Sequence, residues 1–398
     1  MLAESGIVRA EYFLCDGDGH SLDWETDNYK EDVNDFGKIS IKNKRFGVYS
    51  QIEAIGKRLD YSCTIKGLFG REIPPLLDPV ITLTGHAGGL ELRKESKISG
   101  TVVLFHGGIK NTNVPVIIRS SPVFPFDSTS VYKAVKRCND QFLSLLTSKN
   151  VITGNAMITS TNDSNYTRDT LIVMGDCELN NVTLQNRLLA VSGKLIIIGN
   201  CKIEKSALFC EKCEIRGGLT NNTLIFCQKK LSIKNGNHNT QFIAADSITI
   251  SNSAHFGTMV TCVNYREVKN DTLVSGGVYL ENKTRYSGII ISAMDSIAKK
   301  REWHPSVVLD SLAEVNGMII TDQSIFMKEN RIKGHIWARQ IETTDDKLSY
   351  TNYLINCQIE SGPEKYSFPL FGPQPVRIIL GEYSRASTKS NILTKTVK

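Results

Sequence analysis

The chain has 398 residues, 41% of them hydrophobic and 22% charged, with 30 Gly and 11 Pro. Those proportions exclude a mostly disordered, collagen-like or coiled-coil chain and suit one large domain or two to three ordinary ones. The net charge of +6 is scattered among acids rather than clustered, so it makes no electrostatic case for nucleic acid.

From the N-terminus, MLAESGIVRAEYFLCDGDGH lacks a basic segment followed by a long apolar one and does not read as a signal peptide. No apolar run reaches the roughly 18 residues of a membrane-spanning helix. The expectation is a cytosolic chain, or one whose export segment lies outside this sequence. Residues 1–75 read as a separate, non-repeating β-rich region, with strands at Ile39–Ile41, Phe46–Tyr49 and Tyr61–Ile65. Pro79–Leu83, Leu90–Leu92, Ile98 and Thr101–Leu104 look like opening coils of a repeat that fills 76–365. An insertion at 110–150 interrupts it. Within that insertion Val131, Val135, Cys138, Phe142 and Leu145 fall on one helical face, with an N-cap between Asp127 and Ser130, so an amphipathic helix packed on the repeat is expected.

The repeat itself is clearest between 171 and 251. Leu171, Leu189, Ala207, Ile225 and Ile243 are each 18 apart, and Val173, Val191, Phe209, Cys227 and Ala245 keep the same step. Cys177, Leu195, Cys213 and Leu231 form a third column, and Leu179, Ile197, Ile215 and Ile233 a fourth. The last two columns slip by one in the fifth phrase, to Ile248 and Ile250. Within each phrase apolar residues alternate, which is strand periodicity. Polar or Gly corners such as Gly175-Asp176 and Glu211-Lys212 divide each phrase into two strands. Apolar columns at near-constant period follow if each copy stacks in parallel on the last. The expected fold is all-β, a parallel β-solenoid (β-helix) of 17–18-residue coils, with an antiparallel sandwich as the competing reading.

A short helical crossing is expected over 293–310, centred on DSIAKKREW. After it the spacing returns: Ile319 to Ile336 is 17 residues, Ile336 to Leu354 is 18 and Ile341 to Ile359 is 18. Residues 366–398 are expected to supply a cap, Phe368–Leu380, and then a disordered basic tail.

Several phrases together resemble an uncharacterised family of Bacteroidota proteins. They are Lys44-Arg45-Phe46-Gly47-Val48-Tyr49, Leu83-Thr84-Gly85 with Ile98-Ser99-Gly100, Phe242–Ile250, Val315-Asn316-Gly317 with Ile332-Lys333-Gly334, and Phe368–Pro373. The resemblance spans about residues 35–380 and implies an exported, envelope-attached solenoid, tethered by an N-terminal membrane segment that this chain lacks. The coils also resemble those of bactofilins, which polymerise. The family has no established activity and lends no site residues.

Chemical motifs are scarce. Cys210-Glu211-Lys212-Cys213 is the one C-x-x-C among ten cysteines. No second pair completes a zinc site, and strand-like flanks disfavour a redox helix. The ladder cysteines Cys177, Cys213 and Cys227 are therefore read as reduced, buried spectators. Asp16-Gly17-Asp18-Gly19-His20 starts like a calcium loop, but Ser21 and Asp27 stand where Gly and Glu belong, so it is read as a turn. Arg331-Ile332-Lys333 is similar to a polygalacturonase phrase without its acidic partners, and Asp345-Asp346 follows it instead. Asp176 and Asp246 sit at corners of different coils. Trp303, Trp337, Tyr350 and Tyr353 are read as packing rather than as a sugar platform. No catalytic, cofactor-binding or metal residue is assigned, and no cofactor is expected. The function expected is a non-enzymatic structural, assembly or surface-binding protein of the bacterial cell envelope, with protein partners or self-association. A carbohydrate-binding or carbohydrate-active β-helix is the alternative.

Overall fold

A computed structural model describes residues 2–15, 28–33, 37–59, 61–71, 78–85, 88–110, 114–119, 128–148, 151–159, 169–257, 260–266, 268–269, 272–273, 276–294, 305–345, 348–362, 369, 376–387 and 393–397. The chain divides into two units, one made of 1–74 with 367–398 and the other of 75–366.

The first unit is an antiparallel sheet with a helix. Strands β1 (Asn28–Val33), β2 (Gly37–Phe46), β3 (Tyr49–Arg58) and β4 (Tyr61–Arg71) form a meander. The turn at Gly47 and Val48 falls inside the expected Phe46–Tyr49 strand, because the left-handed φ of +63° at Gly47 lets the chain reverse there. Helix α1 (Leu2–Cys15), unforeseen from the sequence, buries Ala3, Ile7 and Ala10 at helical spacing. Ile7 and Ala10 meet Ile39, Ile41, Ile52, Ala54 and Phe69 of the sheet.

The C-terminal expectation is corrected. Val376–Ser387 pairs antiparallel with β4, and Leu393–Val397 pairs with Val376–Ser387. The segment expected as cap and tail thus completes the N-terminal sheet. Its β-branched residues, Val376, Ile378, Ile379, Thr394, Thr396 and Val397, favour extended backbone despite the basic charge. Phe368 and Phe371, offered as the cap, lie outside the described residues.

The second unit is one large, predominantly parallel sheet, which excludes the antiparallel sandwich. Cys177 pairs with Leu195, Leu195 with Cys213, Cys213 with Leu231 and Leu231 with Ile248. Leu179, Ile197, Ile215, Ile233 and Ile250 follow alongside, all fully buried. A further ladder, Leu184–Ile203–Thr220–His238–Phe256, was not visible as a column, since Thr and His interrupt its apolar signal.

The other two expected columns need a one-residue correction. Leu189 pairs with Leu208 rather than Ala207, and Val191 with Cys210 rather than Phe209, ahead of an irregularity in the ladder between Val191 and Lys194. Ile225 likewise meets Phe242, not Ile243. A slip of one residue moves a side chain to the other face of the sheet. Ala190, Phe209, Phe226, Ile243, Val263 and Ile291 therefore share that other face and are buried.

Helix α2 (Ser128–Leu146) covers that face. Its Val131, Val135, Cys138 and Phe142 are buried as expected, with Leu145 half-buried. Phe142 stacks 6.4 Å from Phe226, Tyr132 lies 5.1 Å from Tyr265, and Asn139 accepts from Gln228 Nε2 at 3.1 Å. It packs along the ladder from Thr170–Met174 to Arg285–Met294. Six strand spacings of about 4.8 Å come to about 29 Å, and 19 helical residues to about 28 Å, so helix and ladder match in length. Asp127 and the expected crossing helix at 293–310, apart from its ends at 293–294 and 305–310, lie outside the described residues.

The early repeats do not open the stack in spatial order. Ile336 pairs with Ile81, Ile81 with Val102 and Val102 with Val116. The last repeat in sequence is thus covered by the first. Ile319 stacks on Ile336 as expected, but Ile336 does not meet Leu354, nor Ile341 Ile359. An antiparallel excursion, Gln340–Asp345 with Leu348–Thr351, interposes there.

Candidate functional site

The ladder gathers three thiols. Cys210 and Cys213 lie on one long strand, Ala207–Cys227, and both belong to the apolar core, while Glu211 and Lys212 between them are half-buried and exposed. One repeat later the chain passes again, with Gln228 donating its amide to the Cys210 carbonyl at 2.9 Å. That register sets Cys227 beside Cys210, with their sulfurs 3.5 Å apart. The three Sγ atoms of Cys210, Cys213 and Cys227 lie within 4.8 Å of one another. The neighbouring repeats put Val191 and Leu195 on one side and Leu231 and Ala244 on the other. The thiols are buried, at 0%, 3% and 0% exposure, so their surroundings are hydrocarbon.

Burial pushes the Cys210 and Cys227 thiols up. Hydrogen bonds from Cys210 and then Cys227 pull Cys213 down relative to both. Cys138, Cys177 and Cys262, each without such neighbours, are pushed up to about 12 by burial. Cys177, Cys213 and Cys227 are buried as expected, but only Cys177 sits apart. A search for a second C-x-x-C misses this arrangement. The signal available was the period, since Cys227 follows Cys210 by 17 residues, one repeat.

A second polar feature lies in the ladder of Leu184. His238 Nδ1 is 2.9 Å from Thr220 Oγ1, Nε2 is 3.1 Å from the Asn235 carbonyl, and Thr240 Oγ1 donates to Thr220 Oγ1 at 2.7 Å. Phe242 and Phe256 enclose the ring. Burial lowers His238 to about 4, and His335 moves in the same direction for the same reason. A base held neutral in the fold binds its proton more readily when unfolded. Its stabilisation is therefore complete above pH 6.5 and lost as pH falls toward 4, by about 3 kcal/mol for His238. Urea unfolding between pH 7.5 and 4 should show that decline, and His238→Gln should reduce it, leaving the share that His335 contributes. A pH-independent midpoint would refute the assignment.

On the opposite face of the strand, Glu214 is held by Arg216 Nε at 2.9 Å, Lys194 Nζ at 2.6 Å and Lys234 Nζ at 2.7 Å. Hydrogen bonds from Arg216 first, then Lys194 and Lys234, keep its carboxyl well below the usual range. The three cations leave it no role as a proton donor near neutral pH.

The sugar-cleaving candidates disperse. Arg331 lies beside Glu314, Lys333 pairs with Glu360 at 3.0 Å, and Asp345 binds Lys94 at 3.0 Å. Asp176 accepts the Lys194 amide at 2.7 Å, which fixes its corner. Trp337 is buried, while Tyr350 and Tyr353 clasp Arg93, whose guanidinium carbon lies 5.0 and 4.4 Å from their ring centres. Trp303, Asp346 and the Asp16–Asp27 segment lie outside the described residues. A groove of about 660 Å³ between α2 and the sheet does hold two carboxylates, Asp140 and Asp246, with Lys136 and Lys229. Burial raises the Asp246 carboxyl.

No protein-family model matches the chain, and no curated protein matches it. Among solved structures it is similar to the competence-associated pilin ComZ from Thermus thermophilus, with 11% identity, 97% of this chain and 96% of that one covered, and a TM-score of 0.22.

Proposed function

We propose that the protein is a non-enzymatic structural or assembly component of the bacterial cell envelope. In this reading residues 75–366 wind as a single parallel β-solenoid whose terminal repeats pair with further copies of the chain. One observation carries the assembly reading. Among the described residues, Val116–Ile118 pairs on one side only, with Val102–Leu104. At the far end of the ladder Ala156–Ile158 pairs only with Cys177–Leu179. Ile118 is 66% exposed on the first of these strands and Met157 61% on the second. Unpaired strand edges with exposed apolar side chains are templates for strand addition. The two edges differ, so a head-to-tail contact would extend the ladder as an open array. The envelope location rests on the Bacteroidota resemblance. No helix among the described residues is long and apolar enough to cross a membrane.

Sedimentation velocity over a hundredfold concentration range tests this. The full chain should associate, and Ile118→Lys and Met157→Lys should each abolish association, because one contact uses both ends. A chain monomeric throughout, or association that survives either variant, would overturn the reading. The α2 groove supports the alternative, a carbohydrate-active protein, through Asp140 and Asp246. Release of reducing sugar from a polysaccharide panel, lost in Asp246→Asn, would replace the scaffold reading with that one.

A further inference from the structure

We propose that Cys210, Cys213 and Cys227 form a closed three-thiolate site for copper(I). This does not depend on the assembly reading. The donors are all sulfur, and soft thiolates select soft ions over magnesium, calcium or manganese. Among the described residues they are the only group of three or more His, Cys, Asp or Glu side chains whose ligand atoms converge in this way. Structural zinc takes four ligands, and a fourth drawn from water would have to sit against Val191, Leu195, Leu231 and Ala244. A three-coordinate ion needs no such partner.

The spacing fits. A trigonal ion about 2.3 Å from each sulfur places the sulfurs about 4.0 Å apart. The three sulfurs here lie within 4.8 Å of one another, with Cys210 and Cys227 at 3.5 Å, so shifts below an ångström suffice. A Cys210–Cys227 disulfide asks for more. Its sulfurs would close to about 2.05 Å, and its β-carbons to about 3.8 Å, across adjacent strands about 4.8 Å apart. It would also leave Cys213 unused. Entry is short, since the corner residues Glu211 and Lys212 lie next to the thiols in sequence and Lys212 is exposed. Ligating thiols release their protons to solvent, and copper stays monovalent, so no oxidant or reductant is consumed.

The test uses the full chain, purified reduced and without oxygen, and titrated with copper(I) against a chromophoric copper(I) chelator. One equivalent should be retained, with an all-sulfur, three-coordinate X-ray absorption signature. Cys177→Ala and Cys262→Ala should bind as the parent does, and Cys213→Ala at least tenfold more weakly. Copper(I) should also protect Cys210, Cys213 and Cys227 from alkylation while leaving the Cys177 rate unchanged, a readout that needs no variant to fold. The proposal falls if the chelator strips the metal completely, or if Cys213→Ala binds like the parent. It also falls if four-coordinate zinc(II) is preferred.

Discussion

Ile215→Asp should lower stability by more than about 5 kcal/mol and leave the 75–366 unit unfolded at room temperature. Ile215 pairs with Ile197 on one side and Ile233 on the other, and all three are 0% exposed. Removing a buried Ile side chain alone costs about 2–5 kcal/mol in lost transfer energy and residual cavity. An aspartate adds a carboxyl with no donor at hand in that column, and burying such a group costs several kcal/mol more even when it protonates. The nearby corner supplies the control. Lys212 is exposed, so Lys212→Ala should stay within about 0.5 kcal/mol of the parent. Urea unfolding monitored by far-ultraviolet circular dichroism separates the two. Similar midpoints would mean that Ile215 is not in a packed column.

The repeat was legible where the inward positions are uniformly aliphatic. The columns through Cys177 and Leu179 were read with the correct partners because every inward residue there is apolar and the spacing stays at 17–18. The column through Leu171 was read one residue out at Ala207 and at Ile243, where Leu208 and Phe242 take the core positions. There both faces of the strand are buried, one in the core and one under α2, so Leu208 and Phe209 give equal apolar signals. Periodicity cannot choose between faces when water touches neither. Stacking of the first repeat on the last was hidden for another reason. Ile81 and Ile336 are 255 residues apart, and no local pattern encodes a contact of that span. The partnership of β4 with Val376–Ser387 was hidden likewise.

The thiol site was half legible. Cys210 and Cys213 form a visible motif, whereas Cys227 joins them only through a register that the 18-residue column had placed elsewhere, opposite Phe209. His238 gave no sequence signal at all. An interior histidine is set by the Thr220 and Asn235 groups that meet it, and those lie on a neighbouring repeat and three residues back on its own strand.

Gly317→Ala should cost at least about 3 kcal/mol, although it adds a single methyl group. Gly288, Gly317 and Gly334 pair in register across three successive repeats. Their φ angles are +130°, +153° and +150°, a region that residues with a β-carbon rarely enter. Backbone strain of that kind costs about 1–3 kcal/mol. The larger penalty is steric. A β-carbon on Gly317 would run into the carbonyl oxygen of Gly288, and one on Gly334 into that of Gly317. Both obstacles are ladder backbone, which cannot rotate aside as a side chain does, so the strands must part and their hydrogen bonds stretch. Gly88→Ala separates strain from collision. Gly88 also has a left-handed φ, +64°, but a β-carbon there meets nothing within 4 Å, so strain alone remains, about 1–2 kcal/mol. Thermal melts of the two alanine variants should therefore differ clearly, with Gly317→Ala the lower. Equal melting temperatures would show that the three glycines are not in backbone contact, and the parallel register through 285–334 would have to be redrawn.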